Sequence, residues 1–159
     1  MRIIYCDFDG VLHPVSALQG FEMRLPREEV VRKGRLFRWT HVLNELLINH
    51  SDVRIAVHSS WRELLPKHEI RRYLGPLGER FLCSTVHGDR WSSILQSVDR
   101  LQPSAWIVLD DHASQFPVRA LPELIVCDSE SGIWDASIRR LIATWLDAGA
   151  HKVSKRNTV

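Results

Sequence analysis

Residues 3–12 read Ile-Ile-Tyr-Cys-Asp-Phe-Asp-Gly-Val-Leu, an apolar run that stops at two aspartates, Asp7 and Asp9, with one phenylalanine between them. Ile3 to Cys6 have the length and character of a short buried strand. Adjacent strand residues point to opposite faces and residues two apart share one, so Asp7 and Asp9 address one site while Phe8 turns into the packed layer. Gly10, directly after them, permits a sharp departure of the backbone. Acids at this spacing suit a nucleophile and a partnering acid-base. Taken singly, an Asp-x-Asp also occurs in metal-dependent glycosyltransferases and as a plain turn cap.

Further along the chain, strands and helices alternate. Val53 to Val57 reads as a second buried strand and ends in His58-Ser59-Ser60-Trp61; Ala105 to Leu109 is the clearest strand and ends in Asp110-Asp111. Phe81 to Val86 is a weaker strand, and Leu124 to Cys127 a further one that ends at Asp128. Helical spacing runs from Leu36 through Trp39, Leu43 and Leu47 to His50, and a charged helix spans Arg62 to about Tyr73 before Gly75-Pro76 stops it. Two more helices follow, Trp91 to Leu101 ahead of Pro103, and a last one striped by Ile138, Leu141, Ile142, Trp145 and Leu146. The stretch from Gly10 to Gly34, with Pro14, Gly20 and Pro26, reads as a loop or flap in which Arg27 to Lys33 forms a helical turn or two. The pattern predicts an α/β fold, a three-layer Rossmann-like parallel sheet flanked by helices.

A chain of 159 residues, 45% hydrophobic and 25% charged, suits one globular domain, expected over 1–150, with a basic tail over 151–159 expected to be disordered. The net charge of +2 is too mild to imply a polyanion partner. Cys6, Cys83 and Cys127 are widely spaced, two of them in apolar runs, which fits free thiols in a reducing cytoplasm. Asp7 and Asp9 interrupt the first apolar stretch before it reaches signal-peptide length, and no segment approaches the roughly 20 apolar residues of a membrane span. A soluble protein with no membrane partner is expected.

In an open parallel sheet, ligands bind beyond the carboxyl ends of the strands. Three strands deliver polar residues to that edge: Asp7 and Asp9, Ser59 and Ser60, Asp110 and Asp111. If those strands are neighbours, four carboxylates converge, and such a cluster calls for a hard divalent cation. Mg²⁺ fits an oxygen-only set better than zinc, because the eight histidines are scattered. The expected substrate is an anion that shares the metal.

Residues 3–12 resemble the first motif of the haloacid dehalogenase (HAD) superfamily of phosphohydrolases. Ile55-Ala56-Val57-His58-Ser59 is similar to its second motif, and Val108-Leu109-Asp110-Asp111 to its fourth. The resemblance implies that Asp7 attacks phosphorus to give an aspartyl-phosphate, and that Asp9 protonates the leaving oxygen and then activates water. It also implies Mg²⁺ held by Asp7, the Asp9 backbone carbonyl, Asp110 and Asp111, and a phosphoryl group bound at Gly10 and Ser59. The lysine that the superfamily places between the second and fourth motifs is absent, since Lys67 comes too soon after Ser59. Arg90, opening the helix that leads to the Asp110 strand, is the best placed substitute, with Arg71, Arg72 and Arg80 as alternatives. The span from Asp7 to Asp111, Ser59-Ser60-Trp61-Arg62 included, resembles HAD modules of RNA-repair proteins.

Residues 11–34 leave room only for a minimal cap, and an open site of that kind suits a phosphorylated nucleic-acid end or protein as well as a small molecule. The expected activity is a Mg²⁺-dependent phosphomonoester hydrolase. The other reading, a catalytically weak phospho-ligand or nucleic-acid binding module on the same fold, draws on the missing lysine and the basic tail. Ser60 is expected to cap the next helix, and Asp128 and Asp135 to act as caps. Trp39, Trp91, Trp106 and Trp145 are expected in the core, with Trp61 beside the site, and His13, His58 and His112 as polar loop residues.

Overall fold

The computed structural model describes residues 1–19, 25–118 and 122–154. Five parallel strands, β1 (Arg2–Cys6), β2 (Val53–Val57), β3 (Phe81–Ser84), β4 (Ala105–Asp110) and β5 (Leu124–Val126), form one sheet in the order β3-β2-β1-β4-β5. β1 is central, so the strand ends carrying Asp7, Ser59 and Asp110 are adjacent. The strands are connected by helices because parallel neighbours need a crossover.

The two-residue period of β1 sorts its side chains between two cores. Ile4, Cys6 and Phe8 join the larger core with Val57, Leu109 and residues of α2 (Thr40–Leu46), α4 (Lys67–Tyr73) and α6 (Ala136–Ser154). Ile3 and Tyr5 join a smaller core covered by α5 (Arg90–Leu101), through Trp91 and Ile94. Asp7 has the parity of Ile3 and Tyr5, so it ends the strand on the face that α5 covers. Phe8 lies in the opposite layer, fully buried, with its ring centroid 5.0 Å from that of Phe37.

Several helix bounds differ from those expected. The charged helix over residues 62–73 is two helices, α3 (Trp61–Leu64) and α4, because Pro66 forces Leu65 into extended backbone (φ −118°, ψ 132°). The helix expected from Leu36 starts at Thr40, since Arg35 and Phe37 take left-handed φ values of 50° and 61° that a helix does not admit. β3 stops at Ser84, two residues short of Val86. The flap segment holds a 3₁₀ turn at Val15–Leu18 and α1 (Arg27–Gly34), with Ala17, Leu18, Val30 and Val31 packed on the larger core; its residues 20–24, Gly20 included, lie outside the described residues. α6 continues to Ser154, past the expected domain end, and 155–159 of the basic tail lie outside the described residues.

Trp39 and Trp91 are buried, while Trp106 and Trp145 are half-buried at the margins of the two cores. Cys6 and Cys127 are buried free thiols, and Cys83 is half-buried. Among the described residues no helix is long and apolar enough to cross a membrane.

Candidate active site

The register of the sheet builds the site. Cys6 pairs with Val57 on one side and Leu109 on the other, so the next residue of each strand, Asp7, His58 and Asp110, stands in one row across β2, β1 and β4. All three are buried. Carboxylate oxygens of Asp7, Asp110 and Asp111 lie within 4.8 Å of one another, the arrangement expected of a cation site. Asp9 stands apart from this group: its Oδ1 accepts from Trp61 Nε1 at 2.9 Å and from His13 Nε2 at 2.9 Å.

Arg90 supplies the positive charge. It is the first residue of α5, whose N-cap Asp89 accepts from the Ser92 N–H at 2.8 Å, and α5 lies over the face that carries Asp7. Arg90 Nη1 donates to Asp7 Oδ2 at 2.5 Å and also to Asp110 Oδ2. The alternatives are elsewhere. Arg80 donates to the carbonyls of Leu47, His50 and Val53 at the opposite end of β2, Arg71 stacks on Phe81 at the start of β3, and Arg72 pairs with Glu28 on the surface.

The electrostatics follow from three carboxylates around one guanidinium. Burial alone pushes the Asp7 carboxyl up; His58, Arg90 and the Ser59 hydroxyl outweigh it and hold the group below the usual carboxylate range. Arg90 is the permanent charge among these, because burial pushes the His58 imidazole down. His58 Nε2 donates to the Leu109 carbonyl at 3.3 Å, and its Nδ1, 3.6 Å from Asp110 Oδ2, has no hydrogen-bond partner among the described residues. Asp110 is pushed up by burial and by the neighbouring Asp7 charge, and Asp111 by burial foremost. One guanidinium against three carboxylates leaves a double negative charge.

That deficit is what a divalent cation neutralises. Among the described residues the buried Asp111 Oδ2 has no hydrogen-bond partner, and Gly10 makes room for it: at φ +68° a Cβ on Gly10 would stand against that oxygen. An all-oxygen donor set with an unsatisfied buried carboxylate oxygen fits a hard ion such as Mg²⁺. Gly10 N–H is taken by the His13 carbonyl at 2.9 Å, so Gly10 contributes the turn and the space for Asp111.

Ser59 is fully buried beside Asp7. Ser60 sits at the N-cap position of α3 but its hydroxyl caps nothing; instead the Trp61 N–H reaches Ser59 Oγ at 3.5 Å. Asp128 and Asp135 behave as expected, accepting from the backbone N–H groups of Glu130 and Ser131, and of Ser137, respectively. His13 and His58 are fully buried in contact with the site rather than polar loop residues, while the His112 side chain is half exposed. Register with Asp7 was the available signal for His58. Arg62, which no sequence signal singles out, donates to the carbonyls of His58 and Ser59, and with Ser60, Glu63, Asp89 and Arg90 it lines a cavity of about 520 Å³.

Residues 3–138 match the family described as the HAD domain in Swiss Army Knife RNA repair proteins. Neither a curated protein nor a solved structure gives a match.

Proposed function

Because the chain belongs to the family of HAD domains of Swiss Army Knife RNA repair proteins, a phosphohydrolase type of fold, we propose that it is a metal-dependent phosphomonoesterase that transfers a phosphoryl group to Asp7 and then to water. The observation that carries this reading is the grouping of Asp7, Asp110 and Asp111 around Arg90 at one strand edge.

In the first half-reaction an Asp7 oxygen bonds to phosphorus as the ester P–O bond breaks, and the proton of Asp9 passes to the departing oxygen, which leaves as an alcohol. In the second, Asp9 takes a proton from water, the resulting oxygen bonds to phosphorus, the bond to Asp7 breaks, and inorganic phosphate departs with both acids restored. Arg90 and Ser59 hold the phosphoryl oxygens, and Arg90 keeps Asp7 ionised for attack. Asp7, Asp110, Asp111 and the Asp9 carbonyl would hold Mg²⁺, which when bound would supply charge neutralisation and orientation of the phosphoryl group.

The missing lysine was the main reason to read the chain as a binding module, and Arg90 on Asp7 carries the charge that lysine would have brought. The cavity beside Arg90 and Arg62 suits a phosphorylated nucleic-acid end, in keeping with the RNA-repair setting of the family. We place this activity in one domain over 1–150.

The test is a screen for phosphate release from 3′- and 5′-phosphorylated oligonucleotides, nucleotides and phosphorylated metabolites, with Mg²⁺ and with EDTA. Metal-dependent release supports the reading. Salt-sensitive oligonucleotide binding without any turnover overturns it in favour of a binding module.

A further inference from the structure

The Asp9 carboxylate is held in a way that the mechanism above does not require of the motif alone. Trp61 Nε1 and His13 Nε2 both meet the same oxygen, Asp9 Oδ1, each at 2.9 Å. An indole N–H can only donate. The direction of the His13 contact is also determined: the Phe37 N–H donates to His13 Nδ1 at 3.3 Å, so Nδ1 accepts, the ring proton sits on Nε2, and Nε2 donates to Asp9. Two donors therefore occupy both lone pairs of Oδ1. Among the described residues Oδ2 receives no protein donor, and the Asp9 side chain is 27% exposed.

The clamp is itself rigid. His13 is fully buried, and Trp61, 8% exposed, packs edge-on against Phe37 with ring centroids 5.4 Å apart and lies 6.3 Å from the His13 ring. The turn that carries His13 back to Asp9 is fixed by the bond from the Gly10 N–H to the His13 carbonyl. Trp61 comes from the other side of the site, as the first residue of α3, directly after the second motif.

We propose that Trp61 and His13 are positioning residues that fix the rotation of the Asp9 carboxylate and confine its transferable proton to Oδ2, the oxygen turned away from both donors. A proton on Oδ1 would face two N–H groups and displace at least one. The acid proton therefore has one address, and the leaving oxygen must approach Oδ2 to receive it. This rests on the proposed role of Asp9 as proton donor to the leaving group.

The experiment compares two aryl esters of similar shape, phenyl phosphate and 2,4-dinitrophenyl phosphate, in the wild type, Trp61→Phe and His13→Gln. Dinitrophenolate leaves without a proton, whereas phenolate needs one. Trp61→Phe keeps the ring in the aromatic cluster and removes one donor; it is expected to lower kcat/KM on phenyl phosphate about tenfold or more, a part of what a general acid contributes. kcat/KM on the dinitrophenyl ester, which reports only the steps up to departure of the leaving group and not the later attack of water, should hardly move. His13→Gln, which keeps an N–H near the Nε2 position, is expected to retain more phenyl phosphate activity than His13→Leu.

Equal losses of kcat/KM on the two esters would mean a structural role and overturn the proposal while leaving the proposed function standing. Absence of metal-dependent turnover of either ester by the wild type would overturn the proposed function, and the catalytic part of this proposal with it. A measurement independent of turnover is ¹⁵N NMR of the indole N–H groups. The resonance lost in Trp61→Phe should be the indole signal most shifted in Asp9→Asn, and an unshifted signal there overturns the contact itself.

Discussion

Arg90 is the residue on which the carboxylate cluster depends, and its removal has a size that the structure sets. Asp7 is 2% exposed, Asp110 is 0% exposed, and the Arg90 side chain that bonds both is 18% exposed. Arg90→Met keeps the stem and deletes the charge, leaving two buried carboxylates facing each other. Removing one partner of a buried pair costs about 3–5 kcal/mol, and the open cavity on the Arg90 side places this case near the lower end, about 3 kcal/mol. For a domain of this size that corresponds to a fall in Tm of about 6–12 °C.

The deficit depends on pH with a definite sign. Asp7 titrates below its ordinary value of 3.8, so its pairing contributes stability that is fully present above pH 3.8 and is lost as the pH falls through the depressed value. Asp110 runs the other way: its raised value means that its ionisation opposes folding at neutral pH, and that opposition fades as the pH drops through the raised value. Without Arg90 protonation relieves both carboxylates, so the gap between Arg90→Met and wild type is widest at neutral pH and narrows on acidification. Urea unfolding in EDTA at pH 7 and at about pH 4 reads this directly. Equal midpoints for the two proteins at pH 7 would refute the claim that Arg90 holds the carboxylates together.

Three further outcomes follow from the same contacts. Asp7→Asn is expected to lose phosphatase activity by at least about a thousandfold, on the scale seen when a nucleophile is removed, yet to unfold near the wild-type midpoint because Arg90 keeps Asp110 as partner. Gly10→Ala places a Cβ against Asp111 Oδ2 at φ +68°, so we expect a loss of more than about 1 kcal/mol in denaturant unfolding and weaker Mg²⁺ binding by calorimetry. Far from the site, buried Arg2 donates to Asp52 and to the Leu146 carbonyl, tying β1 to α6. Arg2→Met should cost about 2 kcal/mol, discounted because Asp52 is 41% exposed, and the cost should shrink below pH 3.8, where the depressed Asp52 carboxyl takes up its proton.

The strands and the strand-end acids were legible because their signal is local: an apolar run, then a charge. Their convergence needed only β1 in the centre of the sheet. Arg90 was legible because it opens the helix that leads into the Asp110 strand. The division of α3 from α4 was equally available at Pro66, whose effect on Leu65 outweighs the helical propensity of the charged residues around it. The burial of His13 was not legible. A histidine in a turn becomes buried only when a distant residue closes over it, and here that residue is Trp61, which reaches Asp9 across 52 positions of sequence. Ser60 misled for a related reason: the chain enters α3 with helical backbone at Ser60 (φ −55°, ψ −24°), a conformation that turns its hydroxyl from the N–H groups it would have capped.

The central claim is that phosphorus becomes bonded to Asp7. Acid quench of the wild type during turnover of phenyl phosphate with Mg²⁺, followed by peptide mass analysis, should find one phosphoryl group on the peptide containing Asp7, and none in Asp7→Asn or in EDTA. Metal-dependent release of phosphate that proceeds undiminished in Asp7→Asn, with no phosphoryl group on that peptide in the wild type, would contradict the account.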